Sequence, residues 1–175
     1  CSNLLSLTMK NNVQTIQSYA FQGCSQLSSI TFSENLNKIY EYAFKDCSSL
    51  LSITIPDSVT EIQRGVFQSC SDLKTVTLSN NLNSIQSEVF YYCYNISEII
   101  IPNSVTSIGT RSFCECKSLI SVSLSENLLS IRNMAFYNCI NLSTISLPNN
   151  LNEIGSSAFY SCSSIKEISL PDKVK

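Results

Sequence analysis

Apolar side chains fall at the same places in every 23 residues of this chain, a period marked by Cys1, Cys24, Cys47, Cys70, Cys93, Cys116, Cys139 and Cys162. Counting each repeat from its cysteine, position 4 is always aliphatic (Leu4, Leu27, Leu50, Leu73, Ile96, Leu119, Leu142, Ile165). Positions 7 and 9 are apolar around an intervening residue that is usually Thr or Ser, as in Ile53-Thr54-Ile55. Such alternation predicts a short strand whose positions 7 and 9 face inward. Stacked once per repeat, the strands make a parallel sheet with rungs about 4.8 Å apart, about 35 Å long in all.

Position 10 alternates between Ser33, Ser79, Ser125 and Pro56, Pro102, Pro148, followed by Asn, Asp, Glu or Ser, which is turn chemistry that ends a strand. Position 13 (Val13 to Val174) and position 16 (Ile16 to Ile154) bring the chain back to the core. Their spacing of three suits a tight or 3-10 turn. Positions 20 and 21, such as Ala43-Phe44 and Ala135-Phe136, lie in an otherwise polar stretch and predict a short helical turn that pushes phenylalanine inward. The expected fold is therefore an α/β repeat, a solenoid with a parallel sheet on one face and helical or 3-10 turns opposite. One repeat cannot bury enough surface to offset the entropy of ordering it, so the array folds only by stacking.

A second period lies inside the first. An Asn-Leu turn (Ser33-Glu34-Asn35-Leu36, Ser79-Asn80-Asn81-Leu82, Ser125-Glu126-Asn127-Leu128) alternates with a Pro-Ser-Val turn (Pro56-Asp57-Ser58-Val59, Pro102-Asn103-Ser104-Val105), which points to duplication of 46-residue pairs. The alternation fails at Pro148-Asn149-Asn150-Leu151. The 175 residues read as a single array of about seven and a half repeats, residues 1–175, already in register at Cys1 and ending at Lys175 inside an eighth. We expect a fragment of a longer protein.

The pattern Cys-x-x-Leu-x-x-Ile-x-Leu/Pro-turn-Val-x-x-Ile-x-x-x-Ala-Phe resembles the 23-residue leucine-rich repeat of the BspA-like surface proteins over the whole chain. Departures are small: Ser112 at position 20, Ile96 and Ile165 at position 4, and the additional Cys114. The resemblance implies a leucine-rich-repeat solenoid in a secreted or cell-surface protein that binds host extracellular-matrix proteins or cells. It also implies a sheet face that is concave and commonly binds proteins.

Composition narrows the chemistry. A net charge of −2 with 14% charged residues gives no field for nucleic acid, and no apolar run is long enough to insert in a membrane. There is no histidine, and neither a Gly-x-Ser-x-Gly nor a phosphate-binding glycine loop occurs, so we expect no enzyme and no cofactor. One thiol per turn lacks the short paired spacings of a zinc site. Stacked parallel cysteines also hold their Cβ atoms too far apart for an easy disulfide. Cys24, Cys47, Cys70, Cys93, Cys116 and Cys139 therefore read as a buried structural ladder without metal.

Breaks in the columns supply the candidate contact residues. Position 22 runs Gln22, Lys45, Gln68, Tyr91, Cys114, Tyr137, Tyr160 and is expected to point outward. With Tyr92 and Tyr94 it offers an aromatic contact stripe, or tyrosines that merely cover the surface. Cys114 is the candidate for an intermolecular thiol bond, and the stripe or the uncapped ends for a homodimer. On the strand, Glu98 and Ile100 interrupt columns of Ser and Thr at positions 6 and 8, and could anchor a protein ligand; the plain reading is that hydroxyl residues suit exposed strands. Asn95-Ile96-Ser97 and Asn141-Leu142-Ser143 match the glycosylation sequon, as chance allows in so Asn-rich a chain. The expected function is a non-enzymatic, surface-exposed protein-binding module in adhesion, with a structural spacer as the alternative.

Overall fold

The computed structural model describes residues 1–174; Lys175 lies outside them. Each of the seven complete repeats carries a strand beginning at position 6 and a second at 15–16, numbered along the chain. They are β1 (Ser6–Thr8), β2 (Thr15–Ile16), β3 (Ser29–Thr31), β4 (Lys38–Ile39), β5 (Ser52–Thr54), β6 (Glu61–Ile62) and β7 (Thr75–Thr77). Then come β8 (Ser84–Ile85), β9 (Glu98–Ile100), β10 (Ser107–Ile108), β11 (Ser121–Ser123), β12 (Ser130–Ile131), β13 (Thr144–Ile145) and β14 (Glu153–Ile154). All pairing is parallel and in repeat register, for example Ser6 with Ser29 and Ile108 with Ile131.

The described residues contain no helix and no 3-10 turn, so the chain is a β-solenoid and the expected α/β architecture is wrong. Two features of the turn segment explain this. Positions 19 and 23 hold left-handed backbone in all seven complete repeats, from Tyr19 at φ 61° and Gly23 at φ 72° to Ser157 at φ 57° and Ser161 at φ 59°, and a right-handed helix cannot pass through them. Alternate amides also point out of the turn. Ala20, Gln22 and Cys24 donate three residues back, while Tyr19, Phe21 and Gly23 donate to the carbonyls of Glu41, Ala43 and Lys45 in the next repeat. The segment is thus a third inter-repeat ladder made of turns. The turn expected between positions 13 and 16 closes earlier, with Val59 donating to the Pro56 carbonyl, and Ile62 belongs to strand β6.

Apolar columns behave as the periodicity requires. Positions 4, 13 and 16 are buried throughout the middle repeats. The phenylalanines stack from Phe21 through Phe44, Phe67, Phe90, Phe113 and Phe136 to Phe159, with centroids 5.2–5.9 Å apart and planes within 17° of parallel. Cysteine fills the seam beside them and does more than pack. Cys47, Cys70, Cys93, Cys116, Cys139 and Cys162 each donate S–H to the carbonyl of the phenylalanine 26 residues earlier, at 3.0–3.3 Å.

The 46-residue period reappears in the strand ladders. On the 6–8 side the hydrogen-bonded groups are β1-β3, β5-β7 and β9-β11-β13; on the 15–16 side they are β2-β4-β6 and β8-β10-β12-β14. Breaks on the first side fall between repeats 2 and 3 and between 4 and 5. The break on the other side falls between 3 and 4, so no junction is open on both. One residue tracks the first set of breaks. Where position 12 is asparagine, its Nδ2 reaches back to the position 11 carbonyl of the preceding repeat: Asn35 to Asn11, Asn81 to Asp57, Asn127 to Asn103 and Asn150 to Glu126. Those four junctions keep their strand pairing. At the two broken ones position 12 is Ser58 or Ser104, too short to reach, and their buried hydroxyls find no partner among the described residues.

Candidate functional site

The outward side chains of the 6–8 strands form a surface of hydroxyls, interrupted at β9. Ile100 is 72% exposed in a column otherwise made of Thr and Ser, and Glu98 sits two residues before it on the same face. Both line a shallow groove of about 440 Å³ with Thr75, Thr77, Leu78, Asn80 and Pro102. It lies on the open junction between β7 and β9. Three backbone bonds that join repeats 3 to 4 and 5 to 6 are missing there. Ile55 and Ile101 donate to Thr77 and Ser123, Lys74 and Ile120 to Leu51 and Ser97, and Asp72 and Ser118 to Ser48 and Tyr94. Leu78, Ser97 and Asn95 make no corresponding bonds to Ile100, Lys74 and Ser71.

Every internal ladder break carries such a groove. One of about 350 Å³ lies between β3 and β5, lined by Thr31, Phe32, Thr54 and Pro56, and one of about 260 Å³ between β6 and β8, lined by Lys38, Glu61 and Gln86. The first is the purely apolar-and-hydroxyl version of the Ile100 groove, with no charge in its wall. The second is ionic: Lys38 and Glu61 pair at 3.0 Å, which holds Lys38 above its usual range, while the hydrogen bond from Gln63 and then the bond from Lys38 hold Glu61 below its own. Glu98 has no such partner. Among the described residues, Glu61, Glu88, Glu115 and Glu153 are ion-paired and Glu98 is not.

The tyrosines assemble elsewhere, in the turn segment. Tyr91 and Tyr92 stack at 3.9 Å, Tyr92 and Tyr94 lie 5.8 Å apart, and Tyr137 stacks on Tyr160 at 4.9 Å. Tyr92, and Glu115 and Asn138 at the same position of the next two repeats, all stand on left-handed backbone. Lys117 sits 5.4 Å over the Tyr94 ring and 3.1 Å from Glu115, which also accepts from Asn138. Most of these ring faces are thus occupied within the protein; Tyr160, at 58%, and Tyr94, at 38%, remain the open members. Cys114 does not point outward as its column suggested. It is 4% exposed, and burial pushes its thiol up to about 11. The exposed cysteine is Cys1.

A polar network that the sequence did not signal lies beside this cluster. Glu88, almost buried on left-handed backbone, takes a two-pronged bond from Arg64 at 2.7 and 3.0 Å and a longer one from the Tyr42 hydroxyl at 3.4 Å. The Arg64 guanidinium holds the Glu88 carboxyl below its usual range. Gly65 makes room for it: at φ +64° it carries no Cβ, and one there would lie 2.2 Å from the Tyr42 ring. These groups are consumed by one another. Among the described residues, no cluster of acidic, cysteine or histidine side chains is arranged to hold a metal ion.

A leucine-rich repeat protein of Bacteroides ovatus is 35% identical to the chain, covering 97% of it with a TM-score of 0.92. A leucine rich cell surface protein of Faecalibacterium prausnitzii is 28% identical over 95% of the chain, TM-score 0.86, and the leucine-rich repeat protein of T. pallidum 26% over 93%, also 0.86. The chain spans 46% and 47% of the first two proteins and 78% of the third. No curated protein sequence is significantly similar to it. The model of the BspA type leucine rich repeat region matches residues 1–119 and 84–175, in six copies. With 23-residue periodicity, stacked phenylalanines and in-register parallel strands beneath that match, the chain belongs to the BspA-type leucine-rich repeat family.

Proposed function

We propose that this array is a non-catalytic protein-binding module displayed outside the cell, in adhesion to extracellular-matrix proteins, with its contact surface centred on Ile100 and Glu98. The supporting observation is Ile100 itself: an isoleucine left 72% exposed in a column of hydroxyl residues, at a junction where the strand ladder opens. Exposed apolar groups ringed by polar ones are typical of contact centres. Surface display is supported by the family and by the Faecalibacterium relative, which is described as a cell surface protein. The tyrosine cluster is a less favourable centre because its rings are stacked on each other and on Lys117.

The test uses the full 175-residue chain against a panel of immobilised matrix proteins. Saturable binding that falls about fivefold or more in Ile100→Thr, which restores the column, supports the reading. Saturable binding that survives Ile100→Thr but is lost when Tyr91, Tyr137 and Tyr160 become Ser moves the contact to the tyrosines. No saturable binding to any member makes the array a spacer.

A further inference from the structure

Resting on that reading, the groove between β7 and β9 also specifies the chemistry of what it takes. Its wall combines three kinds of group: an exposed aliphatic side chain, Ile100; hydroxyls from Thr75 and Thr77; and one charge, Glu98. Glu98 has no cation partner among the described residues, so its charge faces outward unneutralised. The backbone at the same place is also underused. The Leu78 N–H and the Ile100 carbonyl, whose equivalents bond each other at the junctions on either side, are left apart. The strands still lie as neighbours, so the opening admits side chains and single hydrogen bonds rather than a whole inserted strand.

We propose that this groove takes an extended segment of a partner protein in which a Lys or Arg stands two residues from an aliphatic residue. The aliphatic side chain packs on Ile100 and against Leu78 and Pro102. The cation pairs with Glu98, two residues along the same face, at the spacing that alternate side chains of an extended chain share. The segment's own amide and carbonyl groups then meet the hydroxyls and open backbone groups of the wall. Chain-internal evidence supports the choice of charge. The homologous groove at β3 and β5 has Ser52 and Thr54 where this one has Glu98 and Ile100, so it lacks both recognition groups, and its backbone is less open, with Leu51 bonded to Ser28 and Ser49 to Ser25.

The probes are two acetylated heptapeptides, Ser-Leu-Ser-Lys-Ser-Leu-Ser and Ser-Leu-Ser-Glu-Ser-Leu-Ser, in which the charge and the leucines share one face, titrated into the isotope-labelled full chain and followed by amide shifts. The lysine peptide should shift Thr77, Glu98 and Ile100 and leave Thr31 and Thr54 unmoved, while the glutamate peptide shifts none of them. Ile100→Thr and Glu98→Ser, each a return to the column's usual residue and so compatible with folding, should each weaken the lysine peptide about fivefold. Equal binding of the two peptides, shifts that map elsewhere, or affinity unchanged in both variants overturns the proposal. Matrix-protein binding that depends on Ile100 while neither peptide binds also overturns it, yet leaves the protein-binding reading standing. Matrix binding indifferent to Ile100 overturns that reading itself.

Discussion

From Cys47 to Cys162, each thiol in the periodic column is both a small apolar filler and a donor to the phenylalanine carbonyl 26 residues earlier, as Cys93 is to Phe67 at 3.1 Å. That double role accounts for cysteine where alanine or valine would only fill space. Burial drives the column's thiols upward, to about 12 at Cys47 and well above the ordinary 9.0 at Cys70, Cys93 and Cys116. The sign of the linkage follows. Below pH 9.0 these thiols are protonated in folded and unfolded chains alike, and their contribution is intact; between 9.0 and about 12 the unfolded chain ionises first and stability drains away. Alkaline titration followed by circular dichroism should therefore show unfolding in that window, and shallower loss in Cys93→Val. At neutral pH a maleimide should label Cys1 rapidly and the other eight cysteines only on unfolding. Rapid labelling of Cys114 would contradict its burial and revive it as an intermolecular thiol.

Among the elements, the residues that the chain repeats were legible in the sequence, and those that act between repeats were not. Alternation at positions 7 and 9 located the strands, and the Phe column located the stack, because both are consequences of burial. The turn segment was misread as helical. Its apolar pair, Ala-Phe, fits a helix equally well, and left-handed backbone at Tyr19, Tyr42, Glu88, Arg111 and Met134 carries no glycine to announce it. Glu98 and Ile100 were found as breaks in a column, whereas the groove beside them was invisible, since it depends on which junction lacks a staple. Even so, the signal was present in the Asn-Leu and Pro-Ser-Val alternation. Repeat 7 supplies a natural control for part of the ladder: Pro148 is followed by Asn150 at position 12, the staple to Glu126 forms, β13 stays paired with β11 and Ser143 donates to Ile120, while Leu124 makes no bond to Ser146. Asn81→Ala should accordingly cost about 0.5–1.5 kcal/mol in denaturant unfolding, the ordinary worth of one hydrogen bond. A cost near zero would show that the staple accompanies the ladder without holding it.

For the whole molecule, three ladders with staggered breaks keep the array continuous while allowing local openings. Repeats 4 and 5 remain joined by β8-β10 and by the turn bonds of Glu88, Phe90 and Tyr92 to Thr110, Ser112 and Cys114, so the groove opens on one face of an otherwise closed junction. Solenoid stability is a sum of neighbour terms, and an opening of this kind is affordable only because the other two sides stay bonded. The same arrangement displays Ile100 at the protein's surface without exposing the phenylalanine stack behind it. The account thus turns on position 12 controlling the sheet-face ladder, and residue-resolved hydrogen exchange tests that directly. In the native chain the amides of Leu78 and Ser97 should exchange at least about tenfold faster than Ile55 and Lys74 one repeat earlier and Ile101 and Ile120 one repeat later. Ser104→Asn, which copies repeat 7, where Ser143 donates to the Ile120 carbonyl, should slow Ser97 to the rate of its neighbours. Equal rates along each column in the native chain, or no slowing in Ser104→Asn, would contradict the account.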